Sequence, residues 1–187
     1  LEVKNVKIGG DFILYTDPLN QTVFYRNKRK RVLHYVDLTD LYKPTQYYML
    51  VFTDNVMRVV FDEKRENLSL ANDLNYQLAD SIVAFVDYDR FFKVYNQNEI
   101  VPITADALES YKLSDNSTAF LTKYELFSYY NQGEILEIDT RKPKSYEVAN
   151  SFVAYVSDFD DFNVFVNGDI ENIENYTPKS YKVGNDI

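Results

Sequence analysis

A repeat of 35 residues constrains the fold of this chain more than any other feature. Three copies align without a gap, at 76–86, 111–121 and 146–156, and a further copy begins at Tyr181. Weaker copies lie upstream, at 6–34 and 42–67. We therefore predict repeats at 1–40, 41–74, 75–109, 110–144 and 145–179, with a partial repeat at 180–187. They form a single repeat domain, which we expect to be part of a longer chain.

Each repeat has the pattern of a four-stranded antiparallel meander. In the repeat at 145–179 the predicted strands are strand a at Tyr146–Val148, strand b at Phe152–Val156, strand c at Phe162–Val166 and strand d at Asp169–Ile173. Strand b is apolar at every position, which indicates a strand covered on both faces. Strand d is the most polar, and its counterpart in the repeat at 75–109 contains Pro102, which favours a sheet edge.

Small and turn-forming residues predict the hairpin connections. Between strands c and d, Asn167-Gly168 is the strongest hairpin signal in the chain. Between strands a and b, the corresponding pairs also tolerate the positive φ of a two-residue turn. These pairs are Gly9-Gly10, Ala79-Asp80, Ser114-Asp115, Ala149-Asn150 and Gly184-Asn185.

A meander of this size cannot bury its apolar faces alone, so the repeats must stack on one another. Radial stacking of four-stranded meanders produces a β-propeller, in which the edges that remain are short and protected. We therefore predict an all-β fold of the β-propeller type. A linear stack of β-hairpin repeats is the alternative.

Composition excludes several classes of function. The 187 residues include no Cys and one His, which argues against disulfides, thiol nucleophiles and multi-His metal centres. The net charge of −9 opposes binding to a phosphate backbone. A hydrophobic content of 45% excludes a disordered acidic tail, and no apolar run approaches the roughly 18 residues of a membrane helix. We predict no cofactor, no nucleic-acid partner and no direct membrane insertion.

The run Ser81–Asp87 (SIVAFVD), followed by Phe91–Tyr95 (FFKVY), resembles the TolB-like and WD40-like propeller repeat. The Pro-Asp-Gly turn that this family has before strand b is missing here. The short repeats, rich in Tyr and Asn, are also similar to uncharacterised periplasmic repeat proteins of Bacteroidetes. Some proteins of that kind accompany outer-membrane machinery such as the type 9 secretion translocon. The resemblance implies a periplasmic or extracellular location and a place in a larger assembly.

Antiparallel connectivity places the b–c loops and the d–a linkers on one face of the repeats. On that face the loops would form a ring of carboxylates and aromatic side chains, suited to a basic or sugar-like partner. Solvated turn residues are the alternative interpretation, since Asp is common in turns. The candidate binding residues are Asp87, Tyr88, Asp89, Tyr124, Asp158, Phe159, Asp160 and Asp161.

No motif singles out a catalytic or metal site. The carboxylates of Asp158, Asp160 and Asp161 are the strongest local Ca²⁺ candidates, but they lack the spacing and the Gly of an EF-hand loop. The single histidine, His34, has no nucleophile motif beside it. We predict that the basic run at 26–31 is a solvated hairpin tip, or a local contact to an acidic partner. We predict no metal ligand and no catalytic residue.

Two hypotheses of function follow. The first is a non-enzymatic scaffold that docks a protein partner through its loop face, as an accessory subunit of an outer-membrane complex such as the type 9 secretion translocon. The second is a carbohydrate-binding or carbohydrate-active propeller, a lectin or a glycosidase. The downstream repeats have similar loops, whereas an active site requires one loop set unlike the others. This evenness favours the scaffold.

Overall fold

The structure of the chain is a computed structural model that describes residues 2–61, 64–70 and 75–184. These residues form five four-stranded antiparallel sheets and one short 3₁₀ turn at Thr39–Leu41. The chain divides into two compact units, at 1–74 and 75–187. Sheets 1 and 2 belong to the first unit and sheets 3, 4 and 5 to the second.

In every sheet the strands are ordered as they follow one another along the chain. Sheet 1 contains β1 (Lys4–Ile8), β2 (Phe12–Thr16), β3 (Thr22–Arg26) and β4 (Arg29–His34), and sheet 2 contains β5 (Tyr42–Pro44), β6 (Met49–Thr53), β7 (Val56–Phe61) and β8 (Lys64–Leu70). Sheet 3 contains β9 (Asn75–Leu78), β10 (Ile82–Val86), β11 (Phe92–Asn96) and β12 (Glu99–Thr104). Sheet 4 contains β13 (Leu108–Leu113), β14 (Ser117–Thr122), β15 (Phe127–Asn131) and β16 (Glu134–Asp139), and sheet 5 contains β17 (Ser145–Val148), β18 (Phe152–Val156), β19 (Phe162–Val166) and β20 (Asp169–Glu174).

The predicted meander is confirmed strand by strand. The bounds of β18 and β19 are those predicted, and β17 and β20 are each one residue longer. β13 begins two residues before the predicted repeat boundary at 110. Strand b is buried along most of its length in sheets 3, 4 and 5, whereas every residue of β20 is exposed. The pattern of apolar residues therefore identified both the central strand and the edge.

The two kinds of hairpin turn differ in a way that the sequence did not indicate. The c–d turns whose residues are described have two successive residues with positive φ, as predicted for Asn167-Gly168. They are Asn27-Lys28, Gln97-Asn98, Gln132-Gly133 and Asn167-Gly168. The prediction of positive φ at the a–b turns is wrong for the described residues there; Asn185 lies outside them. In those turns the first N–H donates to the C=O three residues on, as Ala149 does to Phe152 over 2.9 Å.

The two glycines of the first a–b turn are needed because other atoms lie too close for a side chain, and not because the backbone has a positive φ there. A Cβ on Gly9 would stand 2.2 Å from the Phe12 ring, and one on Gly10 would stand 2.5 Å from the Gln46 carbonyl oxygen. The Gly10 N–H donates to that same oxygen over 3.0 Å, which ties sheet 1 to sheet 2. Gly10 therefore makes room for the turn of sheet 2, and Gly9 makes room for the Phe12 ring of sheet 1 itself.

Neighbouring sheets pack face to face through an aromatic pair that repeats with the sequence. In the second unit, the strand-a Tyr of one sheet packs on the first strand-c Phe of the sheet before it. Ring centroids are 4.9 Å apart for Phe92 and Tyr111 and 5.0 Å apart for Phe127 and Tyr146. The Tyr146 hydroxyl also hydrogen-bonds Ser110 Oγ over 2.8 Å. Burial raises the pKa of Tyr146 to about 12.

The described part of the chain contains no helix with the length and apolar character that a bilayer crossing requires.

Candidate functional site

Four b–c loops share one five-residue geometry. They span 17–21, 87–91, 122–126 and 157–161. In each, the first N–H donates to the fifth C=O, and the fourth N–H donates back to the first C=O. The fourth residue has a positive φ, between 63° and 72°, and is Asn20, Arg90, Glu125 or Asp160. In sheet 2 the connection is shorter, a two-residue turn at Asp54-Asn55 in which both φ values are positive. The recurring geometry presents the second and third residues of each longer loop to solvent.

The first residue of the loop is structural, and this includes the candidate Asp87. Its Oδ1 accepts the Phe91 N–H over 2.9 Å, and its Oδ2 lies 2.5 Å from Lys93 Nζ. The Asp87 side chain is only 8% exposed, so its carboxylate stabilises the loop and is not presented to a partner. Asp17 accepts two loop N–H groups in the same way, from Leu19 and Gln21.

Each long loop of the second unit has an aromatic side chain that is at least 65% exposed. Tyr88 is 66% exposed, Tyr124 is 77% exposed and Phe159 is 65% exposed. They occupy the second or third position of loops that lie at the same edge of sheets 3, 4 and 5. We call these three residues the aromatic row. An isolated exposed aromatic is ordinary on a protein surface, but one on each of three neighbouring loops makes the aromatic row the candidate interaction surface of this unit.

The acidic candidates of sheet 5 are held by basic residues of the preceding linker. Asp158 lies 3.4 Å from an Arg141 guanidinium nitrogen, and Arg141 Cζ stands 4.5 Å from the centroid of the Phe159 ring. Asp160 lies 2.6 Å from Lys144 Nζ and accepts the Thr177 hydroxyl over 2.7 Å. The hydrogen bond from Lys144 lowers the pKa of Asp160, and the bond from Thr177 adds to this.

The two remaining acidic candidates differ in their surroundings. Asp161 is partly buried at the end of its loop, where its N–H donates to Ser157 Oγ over 3.2 Å. Asp89 is exposed beside Tyr88 in sheet 3. The structure thus brings Tyr88, Tyr124, Phe159 and Asp89 to the surface, and it builds Asp87, Asp158, Asp160 and Asp161 into local contacts.

Residues of the d–a linkers belong to the same face and were missed as site residues. The Arg141–Lys144 segment supplies the cations that hold Asp158 and Asp160, and Lys142 also pairs with Glu109. Tyr176, in the linker after sheet 5, is 59% exposed. The sequence did contain a signal for these cations. Three of the four residues at 141–144 are basic, in a linker that was expected to lie on the same face as the acidic loops.

The negative charge is not concentrated on the loops. Residues 1–74 carry 11 basic and 10 acidic residues, a net +1, and residues 75–187 carry 9 and 19, a net −10. In the second unit the strands d contain seven carboxylates and no basic residue. By contrast, β4 in the first unit carries three basic residues and no acid. Charges on exposed edge strands discourage pairing with other strands, which accounts for their position.

The remaining polar candidates lie in the first unit. His34 ends β4, where its Nε2 lies 2.7 Å from the Tyr42 hydroxyl, and partial burial lowers its pKa. The basic run forms the predicted hairpin tip, with Arg26 paired to Asp11 at 2.6 Å.

A cleft of about 260 Å³ is lined by Glu2, Lys4, Thr16, Asp17, Pro18 and Asn20. Among the described residues, no three His, Cys, Asp or Glu side chains converge as a metal site would require.

A family model agrees with this architecture over the whole chain. The model of the 10-bladed beta propeller domain matches residues 1–187. The chain belongs to the 10-bladed beta propeller domain family. The predicted β-propeller is thereby confirmed, and the linear stack of hairpins is not the fold of this 10-bladed beta propeller domain chain. The finer resemblances, to TolB-like repeats and to periplasmic Bacteroidetes proteins, stay predictions.

Several solved structures are similar to this chain at low sequence identity. They include Kluyveromyces lactis Hsv2p (10% identity, covering 91% of this chain and 62% of that one, TM-score 0.42). Human WBSCR16 has 10% identity, coverage of 97% and 68%, and a TM-score of 0.43. The CRINKLY WD40 ectodomain of the Arabidopsis thaliana receptor kinase ACR4 has 9% identity, coverage of 96% and 66%, and a TM-score of 0.44.

This chain spans 60% and 62% of the length of two of the solved structures that it matches. No curated protein matches the sequence. At these identities and TM-scores the similarities assign no partner or substrate to the chain.

Proposed function

We propose that this chain is a non-catalytic binding protein that docks a protein partner through the loop face of sheets 3, 4 and 5. The observation that carries the proposal is the aromatic row, whose three members are each at least 65% exposed. Large aromatic side chains contribute most of the energy at the centres of protein interfaces. Loops on a rigid sheet scaffold hold such side chains in place without a large entropic cost on binding.

The polar groups around the row suit the rim of a protein interface. The carboxylates of Asp158 and Asp160 already have basic partners within the chain. A protein interface of this kind has an apolar centre and a polar rim that stays solvated. A sugar site would instead need several polar groups left available to the sugar hydroxyls beside a stacking ring. The paired carboxylates therefore favour a protein over a carbohydrate.

The finer parts of the proposal rest on the repeat resemblance. We propose that the protein acts outside the cytoplasm, as an accessory subunit of an outer-membrane complex such as the type 9 secretion translocon. Support for this location comes from the similarity of the short Tyr- and Asn-rich repeats to periplasmic proteins. The absence of a recognisable catalytic motif in the sequence supports a role in binding and not in catalysis.

Capture of partners from native membranes tests the proposal. The bait is the wild-type chain, compared with the triple variant Tyr88→Ala, Tyr124→Ala, Phe159→Ala. We expect the wild type to recover a stoichiometric protein partner and the triple variant to lose it, since each interface aromatic contributes about tenfold in affinity. The matched control is Tyr47→Ala, an exposed aromatic in the a–b turn at the opposite end of its sheet (50% exposed).

The outcomes separate the two hypotheses of function. Retention of the partner by the triple variant would show that the aromatic row is not the docking surface. Failure of the wild type to recover any stoichiometric protein would remove the scaffold hypothesis. A glycan array probed with the same variants tests the carbohydrate-binding hypothesis. Glycan binding that depends on Tyr88, Tyr124 and Phe159 would establish the lectin in place of the scaffold.

A further inference from the structure

The outer strands of sheets 1 and 2 hold a group of arginines that the loop face does not use. Paired residues of an antiparallel sheet point to the same side, so Arg31 lies on the side of Phe24, and Arg65 lies on the side of Val60. Phe24 and Val60 belong to one core cluster, which lies between the two sheets. Arg31 and Arg65 therefore stand at the outer border of that core, where both are exposed.

Arg29 adds a third guanidinium on the same side of β4. It pairs with Arg26, two residues from Phe24 on β3, so the side chains of Arg29 and Arg31 point the same way. We call the space bordered by Arg29, Arg31 and Arg65 the basic groove. The groove lies between two consecutive sheets of one unit, and strand d, which borders it, is the last strand of the meander in every sheet. Its opening is therefore a property of the meander itself.

The floor of the basic groove is polar and close to the arginines. His34 Nε2 lies 2.7 Å from the Tyr42 hydroxyl, which joins sheet 1 to sheet 2. Burial raises the pKa of Tyr42, whereas the charges of Arg65 and Arg31 act to lower it. Burial lowers the pKa of His34, and the charge of Arg65 lowers it further. Guanidinium groups from both sheets thus act on one hydroxyl of the floor.

The positive charge of the basic groove is not compensated within the part of the chain that the structure describes. Two arginines beside the groove have carboxylate partners there: Arg26 lies 2.6 Å from Asp11, and Arg58 lies 3.6 Å from Asp54. The three arginines of the groove form no such pair with a described residue. Cations held together repel one another, and a bound anion relieves that repulsion. The groove therefore attracts an anion.

Spacing and total charge favour an acidic polypeptide over a phosphate ligand. Arg29 and Arg31 are alternate residues of one strand and are about 7 Å apart along it, which is also the separation of alternate side chains in an extended peptide. The outer edge of β4 pairs with no described strand, so it offers backbone groups to a further strand. The net charge of −9 repels nucleic acids and anionic membranes, which contact a wide surface.

We propose that an extended acidic segment of a protein partner docks along the outer edge of β4, with carboxylates at alternate positions on the arginines of the basic groove. The segment pairs with β4 as a fifth strand of sheet 1, and the side chains on one of its sides enter the groove. An arginine binds a carboxylate through two parallel N–H bonds, which fixes the register of the segment. The cations of β4 reject other strands, so the edge is selective for acidic ones. This site shares no residue with the aromatic row.

Fluorescence anisotropy of a labelled peptide tests the proposal on the whole chain. The probe is the hexapeptide Glu-Val-Glu-Val-Glu-Val, and its isomer Glu-Glu-Glu-Val-Val-Val has the same charge. We expect the alternating probe to bind saturably at low salt and the isomer to bind about fivefold more weakly, because only alternate residues share one side of a strand. Arg31→Gln and Arg65→Gln should each weaken binding of the alternating probe about fivefold.

Lys30→Gln is the matched control. Lys30 lies between the two arginines of β4 but pairs with Tyr25, so it points to the other side of the strand. Its replacement removes the same charge and should change the affinity less than about twofold. His34 is the only histidine of the chain, so its ring signals in an NMR spectrum report on the groove and should shift when the alternating probe binds. Thermal melting establishes that each variant is folded.

Several outcomes would overturn the proposal. They are the absence of saturable binding, equal affinity for the two isomers, and an equal loss in folded Lys30→Gln and Arg31→Gln. Displacement of the probe by inorganic phosphate at matched ionic strength would assign the groove to a phosphate ligand instead. Binding to vesicles of phosphatidylcholine and phosphatidylserine in equal parts, lost in Arg31→Gln, would assign it to a membrane surface. Self-association that Arg31→Gln abolishes would assign it to a second copy of the chain.

Discussion

At the scale of single residues, the loop face separates residues that build the loop from residues that the loop presents. Asp87 and Asp89 are two positions apart in one acidic loop, yet Asp87 is buried in loop hydrogen bonds and Asp89 is exposed. The same loop position is taken by Thr122 and Ser157, whose hydroxyls accept the corresponding N–H groups. An oxygen at this position is therefore a requirement of the turn, and not a sign of binding.

Replacement of Asp87 by Ala should destabilise the fold without weakening partner capture. The Phe91 N–H and the Lys93 ammonium lose their acceptor, which costs about 1–3 kcal/mol of unfolding free energy. Asp89→Ala is the matched control and should stay within about 0.5 kcal/mol of wild type in a chemical denaturation series. A loss of capture by folded Asp87→Ala, with unchanged stability, would contradict the structural role.

Gly10→Ala should lower the unfolding free energy by about 1–3 kcal/mol, since the added methyl meets the backbone oxygen of Gln46 and cannot move it cheaply. Gly184→Ala is the control, because no atom lies within 4 Å of the added Cβ. There we expect a neutral result, or a slight gain from the stiffer unfolded chain. Equal denaturation midpoints for the two variants would show that the first a–b turn is not tightly packed.

At the scale of elements, strand a connects the sheets of the second unit. Its tyrosine packs on an aromatic ring of the preceding sheet and hydrogen-bonds that sheet's own strand a, as Tyr111 does with Phe92 and Asn75. Strand a has only four to six residues in this unit, so the tyrosine makes most of its side-chain contacts with the preceding sheet. The constant spacing of Tyr111 and Tyr146 thus reflects an interface that repeats from one sheet of this unit to the next.

This interface should fail at alkaline pH. The folded-state pKa of Tyr146, about 12, lies above its ordinary value of 10.0, because burial disfavours the phenolate. The stabilisation is therefore fully present below pH 10 and is lost as pH rises through the folded-state value. We expect the melting temperature of wild type to fall by several degrees between about pH 10 and 12. The Tyr146→Phe variant lacks the bond to Ser110 and should be slightly less stable at neutral pH. Its melting temperature should fall less steeply between about pH 10 and 12 than that of wild type. Equal slopes for the two proteins would show that Tyr146 is not the group whose ionisation destabilises the interface.

At the scale of the whole molecule, charge is divided between two units. The first carries a net +1 and the second a net −10, and the acidic excess of the second lies on its strands d. On the loop face of sheet 5, Asp158 and Asp160 are locally neutralised by Arg141 and Lys144. A partner that docks on the aromatic row would meet paired charges and exposed rings.

Partner capture by the loop face should therefore resist salt. Contacts carried by aromatic burial are not screened, whereas attraction between an acidic ring and a basic partner weakens once the Debye length falls below about 10 Å. Washing captured complexes with increasing sodium chloride distinguishes the two. We expect the partner to remain bound in high salt, and its release at moderate salt would favour a docking mode based on carboxylates.

The sequence by itself determined the repeat, the order of four strands, the buried strand b and the exposed strand d. These signals are local and periodic: alternation, a Pro at an edge, an Asn-Gly turn and a spacing of 35 residues are readable along one dimension. Only the tertiary structure decided which loop residues are available. An Asp in a turn fits both a structural and a binding role, and the hydrogen bond from Phe91 assigns Asp87 to the first. The ion pair of Asp158 with Arg141 joins a loop to a separate linker, which no local pattern relates. The tertiary structure also showed that Gly9 and Gly10 serve close packing, since the atoms they make room for include those of Gln46 in another sheet.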